Sequence, residues 1–280
     1  MFKKHLNPRF SIIIPVYKRR SLATQTIKSV LKQKAINIDK VQIIISDDEQ
    51  NKNKRKNNRR YFRNLAKNIF YTPNKNAEGP GGNRQTGLKI AKGKYIVFLD
   101  SDDIVGQFFL FRMSNFLEEK RFVAVTCLSE PFFDRNFSVR DKIRILPLNL
   151  IRDLAIFFGY FFNNGALYPG AFYLCQISHM MFVSDKIKSQ KFNYDYRYGG
   201  EDWDFFAQTL QQGKIGIIPQ KLVRFRYVPG SSTVNPTNRI KKWKSYLLLA
   251  KRVSPRFKKN IFYVLLLLYI YLFGGKNAKN

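Results

Sequence analysis

Three uninterrupted apolar runs, each closing on a turn or on acid, constrain this chain more than any other feature: "FSIIIPVY" (10–17), "VQIIIS" (41–46) and "KYIVFLD" (94–100). Runs that are apolar on both faces fit strands covered on both sides, as in a parallel sheet. Between the first two, Leu22, Ile27, Val30 and Leu31 recur at helical spacing up to about Lys34. Strand, helix and strand within about 35 residues make a βαβ unit. Ligands of open α/β sheets lie beyond the carboxyl ends of the strands. That rule brings Asp47 and Asp48 to one edge with Asp100, Asp102 and Asp103.

The alternation continues along the chain. "NKNKRKNNRR" (51–60) reads as a loop or the exposed start of a helix ending near Lys67, and "NIFYT" as a short strand. "NAEGPGGNRQTG" is a glycine-rich loop before a helix, "GLKIAKG", stopped by Gly93. A helix beyond Gln107 to about Lys120 and a strand "FVAVTCL" follow; residues 130–168 show no assignable pattern. "GAFYLCQISHMMFV" reads as a strand returning to the sheet, "GGEDWDFFAQTLQQG" as a loop and a helix ending at Gly213, and "KIGIIP" and "LVRFRYV" as two strands. The fold class expected is α/β, a Rossmann-like, mostly parallel sheet with helices on both faces. Residues 1–237 form one α/β domain in this reading, and 238–280 a basic, aromatic helical tail.

Composition narrows the chemistry. The net charge is +31, from 50 Lys and Arg against 19 Asp and Glu, so an anionic partner is favoured. Nine of those acids nevertheless sit in three clusters, 47–49, 100–103 and 201–204, which would spoil a basic groove. No recognition-helix, zinc-finger or RNA-motif signature is present, and nucleic acid is not the expected partner. His5 and His179 are the only histidines, which excludes a multi-histidine zinc site and disfavours a Ser-His-Asp hydrolase. Cys127 and Cys175 form no CxxC and read as buried thiols in a reducing cytosol. The N-terminus lacks a secretory signal's apolar core, and the apolar run 261–273 is shorter than the roughly 20 residues of a membrane-crossing helix. A cytoplasmic protein is expected, with the tail either lying on the inner face of the membrane or closing over the domain.

Closely spaced carboxylates after a strand suit Mg²⁺ or Mn²⁺, which take oxygen ligands and share their shell with substrate phosphates. Two plainer readings stand beside this. Ser101 or Asp102 would cap a following helix, and Glu201 and Asp202 would simply begin one. The glycines near 79–87 would likewise either shape a turn or hold phosphate at a helix N-terminus.

Taken together, "SIIIPVYKR", "IIISDDE", "EGPGGNRQTGLKIAKGKYIVFLDSDD" and "GGEDWDFF" resemble family 2 glycosyltransferases of the GT-A fold, over about residues 10–228. The resemblance implies that Pro15, Tyr17 and Asp48 contact the nucleotide, with Arg84 near its base or diphosphate. Asp100 and Asp102 match the D-x-D element that binds sugar and metal, Asp102 being the metal ligand and Asp103 the adjacent acid. Asp202 matches the general base, with Glu201 helping to hold the acceptor. It further implies an inverting transfer from a nucleoside-diphosphate sugar, a UDP-sugar first, to a glycan or lipid-linked acceptor, as in bacterial surface polysaccharide synthesis. Two departures are Gln85, where the family frequently has Asn, and Val228 or a neighbour, where many members carry a histidine that ligates metal; Arg226 would then meet the diphosphate. The alternatives are a nucleotidyltransferase or another nucleotide-sugar enzyme on such a scaffold, a basic nucleic-acid-binding protein, and a catalytically dead homologue.

Overall fold

The computed structural model describes residues 7–134, 139, 150, 153–154, 156–158, 160–167, 175–196 and 199–228. The expected tail, 238–280, lies outside the described residues, and with it the reading of that tail as a membrane attachment.

The chain is organised on one eight-stranded sheet. Its strands are β1 (Phe10–Val16), β2 (Val41–Asp47), β3 (Ile69–Pro73), β4 (Tyr95–Phe98), β5 (Ile104–Val105), β6 (Ala124–Phe133), β7 (Met180–Val183) and β8 (Ile215–Tyr227), in the order β3-β2-β1-β4-β7-β6-β8-β5. β1 pairs in parallel with β2 and β4, β2 with β3, and β6 with β8. β7 runs antiparallel to both β4 and β6, and β5 antiparallel to β8. The reversed β7 therefore divides a wholly parallel half from a mixed half.

Helices cover both faces. α1 (Arg20–Leu31), α2 (Lys52–Arg63) and α4 (Phe109–Lys120) lie on one side, where Ile27, Phe62, Phe109 and Met113 bury against Phe10, Ile12, Ile14, Ile43 and Ile45. α3 (Pro80–Ile90) and α6 (Glu201–Gln212) lie on the other with the short α5 (Ser184–Ile187); there Leu88, Phe205 and Phe206 meet Ile13, Ile44, Phe98 and Phe182. Alternate residues of β1 point to opposite sides, as the pleat requires. Each such buried side chain contributes about 1.5–3 kcal/mol of transfer free energy. α6 is fixed to the sheet by aromatic packing, Phe205 stacking on Phe192 at 4.4 Å and meeting Phe98 edge-on at 5.5 Å.

Several elements differ from the sequence reading, each for a local reason. Of the two readings of residues 51–60, the helical one holds: 52–60 are most of α2, which ends at Arg63 rather than near Lys67 and whose N-cap Asn51 accepts hydrogen bonds from the Asn53 and Lys54 backbone. The glycine-rich stretch is not loop beyond Gly79. Pro80 opens α3, its missing N–H costing nothing in a first helical turn. Glycine is needed at 82 because a Cβ there would stand 1.9 Å from the Ala77 carbonyl oxygen. No helix follows Ser101 and Asp102, so neither caps one; the chain turns there, Asp103 N–H donating to the Asp100 carbonyl, and enters β5. Glu201 and Asp202 do occupy the first turn of α6.

"KIGIIP" and "LVRFRYV" are one strand rather than two. Pro219 cannot donate to a ladder, and the break it suggests is absorbed as a bulge where the β6–β8 register shifts beside Cys127 and Leu128. β6 likewise runs on through Pro131 to Phe133, into the stretch whose pattern could not be assigned. Within "GAFYLCQISHMMFV" only Met180–Val183 is strand among the described residues, preceded by a 3₁₀ turn at Ile177–His179.

Candidate active site

The carboxyl ends of β1, β2 and β4 deliver Tyr17, Asp48 and Asp100 to one edge of the sheet, and the first turn of α6 brings Glu201 and Asp202 to the same edge. A chain of contacts closes these groups into a rim. Asp48 accepts from the Gly79 N–H at 2.9 Å, just before α3. Gly81, in the first turn of α3, lies against Glu201, whose Cβ would be 3.5 Å from a Cβ built on that glycine. Glu201 accepts from Arg84 at 2.9 Å, and Arg84 donates with its other arm to Asp100 at 2.7 Å. Asp102 pairs with Arg19 at 2.9 Å, and the Arg19 N–H donates to the Tyr17 carbonyl. The Asp48 N–H donates to Val16, completing the circuit.

Arg84 is the centre of this arrangement. Its side chain is only 7% exposed, and both terminal nitrogens are taken by carboxylates of different segments. Burial works against its charge and the carboxylates of Asp100 and Glu201 outweigh that, so the guanidinium is held firmly ionised. The Arg84 Nε and the Glu201 Oε2 are buried and have no hydrogen-bond partner among the described residues. The side chain expected to lie near the nucleotide is thus bound internally, bracing α3, β4 and α6 together.

The other carboxylates divide by environment. Asp202, half-buried, accepts from the Trp203 N–H at 2.9 Å. Burial first, then the neighbouring Glu201 charge, pushes its carboxyl up to about 7 against the opposing pull of Arg84. Gly200, left-handed at φ 104°, makes the turn that brings Glu201 and Asp202 to this edge. Asp102 rises to about 6, through burial and the Asp100 charge, with Arg19 opposing. Asp103 is fully buried and pushed well above the carboxylate range by burial and its two neighbours; its Oδ1 accepts from the Arg226 N–H. It stands inside the protein rather than on the rim. Asp48 is also buried, accepting from Asn74 at 2.7 Å as well as from Gly79. Asp47 supports the β2–β3 edge, accepting from Tyr71 at 2.6 Å and Asn58 at 2.9 Å. Pro15 is partly exposed and Tyr17 52% exposed at the mouth, with the Lys18 ammonium over its ring at 4.8 Å.

Arg226, at the end of β8, donates through Nε to the Asp102 carbonyl at 3.0 Å and through Nη2 to Gln25 at 2.7 Å. Gln85 accepts from the Phe192 N–H at 2.9 Å and so positions the segment before α6. Two rim residues escaped the sequence reading, Arg19 and Asn74. Arg19 carried a signal: it is the N-cap of α1, a position that favours Ser, Thr, Asp or Asn, and it is followed by Arg20 with no acid in the first turn. Cations set against the helix dipole point to anions nearby. Asn74 had no such mark, because its partner Asp48 is contributed by another strand.

For a divalent cation the fit rests on donor type. Among the described residues no group of three or more His, Cys, Asp or Glu side chains is arranged to hold a metal ion. Asp102, with one oxygen held by Arg19, and Asp100, held by Arg84, offer hard oxygen donors of the sort that bind Mg²⁺ or Mn²⁺ when phosphates and water complete the shell. His179 is buried against Phe225, their rings 5.8 Å apart, and is no rim ligand.

The sequence profile described as "Glycosyl transferase family 2" matches residues 11–186. The chain belongs to glycosyl transferase family 2. A relative, the poly(ribitol-phosphate) beta-glucosyltransferase of Bacillus spizizenii, is 34% identical over 113 residues, which is 40% of this chain and 18% of that protein. The chain spans 13%, 18% and 36% of the length of three of the curated relatives it matches. Among solved structures, S. aureus TarS 1-349 in complex with UDP-GlcNAc superimposes with a TM-score of 0.61 at 17% identity, covering 86% of this chain and 65% of that one. The mannosyltransferase PcManGT from Pyrobaculum calidifontis, in complex with GDP-Man and Mn²⁺, gives 0.65 at 15% identity, covering 95% and 71%. At such identity the likeness is one of fold. This family 2 glycosyltransferase therefore has the GT-A fold expected from its sequence, a mixed, mostly parallel sheet between helices.

Proposed function

We propose that this glycosyltransferase transfers a sugar, with inversion, from a nucleoside-diphosphate sugar to a hydroxyl of a glycan or lipid-linked acceptor, with Asp202 as the general base. One observation carries the reading: Asp202 stands on the rim beside the Asp100–Arg84–Glu201 clamp, its carboxyl raised to about 7. A base acts best when its pKa lies near the working pH, where it is ionised yet still basic.

The donor occupies the β1–β2–β4 side in this reading. Tyr17 and Pro15 offer a face for the base, and Asp48, fixed by Asn74 and Gly79, directs its remaining lone pairs towards the ribose. The acceptor hydroxyl approaches from the α6 side. Asp202 takes its proton as the oxygen bonds to the anomeric carbon and the bond to the diphosphate breaks, the electron pair leaving with the diphosphate. Arg84, committed to two carboxylates, acts as a positioning residue that holds Asp100 and Glu201 in register. A divalent cation held by Asp102, with Asp100 nearby, would neutralise charge on the departing diphosphate. Arg19 and Arg226 bring positive charge to the same place. Glu201, with one oxygen on Arg84, supports the base from behind, and Asp103 supports the 100–103 turn.

The UDP and GDP sugars bound by the structural neighbours, and the polymer-modifying activity named for the Bacillus relative, support a nucleotide-sugar donor and a surface-polymer acceptor. The proposed setting is the inner face of the cell membrane; among the described residues no helix is long and apolar enough to cross a bilayer. A panel of nucleotide sugars, scored for binding and slow hydrolysis with and without Mn²⁺, tests the reading. Tight binding of one UDP-sugar is expected, and binding of none of them rejects it.

A further inference from the structure

α2 carries seven cations in twelve residues, Lys52, Lys54, Arg55, Lys56, Arg59, Arg60 and Arg63, and no acid. Only Phe62 of the helix is buried, and none of the seven cations forms an ion pair with a described residue. Folding does not account for this. Lys52 and Lys56, Arg55 and Arg59, Lys56 and Arg60, and Arg59 and Arg63 repel at i, i+4 spacing, and the cations of the first turn oppose the helix dipole. α1 extends the same surface. It too has no acid, exposes Arg20 and Lys28, and meets α2 where Arg20 lies over the Tyr61 ring at 4.7 Å and Thr24 hydrogen-bonds the Tyr61 hydroxyl. Asp39, near the far end, is paired with Lys67.

We infer that the α1–α2 face is a docking surface for an anionic lipid bilayer. The surface is made by the outer sides of two neighbouring helices, with Tyr61 the one large hydrophobic on α2 exposed beyond a third. A broad cationic face fits a plane of phosphate headgroups, with adsorption that is electrostatic rather than insertive. Both helices begin at the carboxyl edge of the sheet. A bilayer against their outer faces leaves the rim of the site open beside the headgroups, where a lipid-linked acceptor would arrive. The orientation rests on the proposed transfer to such an acceptor; the docking does not.

The test uses the full chain with vesicles of phosphatidylcholine containing about a third phosphatidylglycerol, alongside phosphatidylcholine alone. Lys54, Lys56, Arg60 and Arg63, all exposed and outside the rim, are changed together to Gln, a good helix former. A control set, Lys186, Lys188, Lys191 and Lys214 to Gln, removes the same charge from the opposite face. At about fivefold per cation, the first set should weaken binding to anionic vesicles by roughly several hundred-fold and the control far less. Raising salt from about 0.1 to 1 M should abolish binding as the screening length falls from about 10 to 3 Å. Equal loss in the two sets, binding undiminished by salt, or displacement from vesicles by single-stranded RNA of equal phosphate content would overturn the proposal. UDP binding, measured on each variant, checks the fold and reports on the donor site separately.

Discussion

The two halves of the sheet, β1–β4 and β5–β8, solve different problems. In the first, every strand pair is parallel, the strands are apolar on both faces, and the acids lie just beyond the strand ends. In the second, directions mix, one bulged strand runs for 13 residues, and stacked aromatic rings do much of the packing. Under the proposed reading, the lesson is that a donor pocket and an acceptor surface need different scaffolds: the nucleotide would be met by groups at strand ends, whereas Asp202 is delivered by a helix fixed to the sheet through aromatic packing. Arg84 is where the two meet.

The sharpest break in that division is Asp202→Asn. Transfer should fall by about 10²–10⁴-fold, the usual worth of a general base, while binding of UDP-sugar, a property of the first half, stays unchanged by calorimetry. The variant is not expected to unfold. Burial raises this carboxyl to about 7, so its ionisation weakens the fold. The penalty is absent below the unfolded value of about 4 and complete above 7, and Asn removes it. Arg84→Met attacks the junction instead. It leaves Asp100 and Glu201 without their shared cation, a loss of about 3–5 kcal/mol in denaturant unfolding. Arg84→Lys, unable to reach both carboxylates in a planar fork, should recover only part.

Two glycines compare the halves directly. Gly82→Ala drives a Cβ onto backbone, the Ala77 carbonyl, and should cost about 1–3 kcal/mol. Gly216→Ala meets the rings of Phe116 and Phe122 first and should cost less by the same thermal-unfolding measurement, since side chains yield more readily than backbone. A larger loss at 216 would reverse our view of which half is rigid. With a base titrating near 7, kcat/KM should fall about tenfold per pH unit below that value, and this limb should vanish in the residual activity of Asp202→Asn. Smallest of all, Lys67→Gln breaks an exposed pair with Asp39 and should change stability by about 0.2–1 kcal/mol or less.

The same contrast decides what was legible in the sequence. β1, β2 and β4 could be read because burial on both faces writes itself as a continuous apolar run, and their acids then fell at one edge by topology alone. The GT-A fold and the family are implied by the resemblance that the four quoted motifs carry, not by the position of that edge. β8 reads as two pieces in the sequence because Pro219 looks like an end when judged one strand at a time, and the partner that tolerates the bulge is far away in sequence. The partners of Arg84 were hidden for a related reason. Glu201 lies 117 residues away, and no local pattern records that an arginine near a phosphate-like loop is already satisfied. Arg19 was legible in principle, as a cation where a helix start asks for an acid.

The clamp has one more consequence. Three charges that would be costly apart become tolerable only when strand end, glycine helix and acidic helix arrive together. A half docked one turn out of place would strand at least one of them in a dry interior. Assembly of the reaction centre and correct joining of the halves are thus expected to be a single event, so that a molecule which has folded has also been proofread.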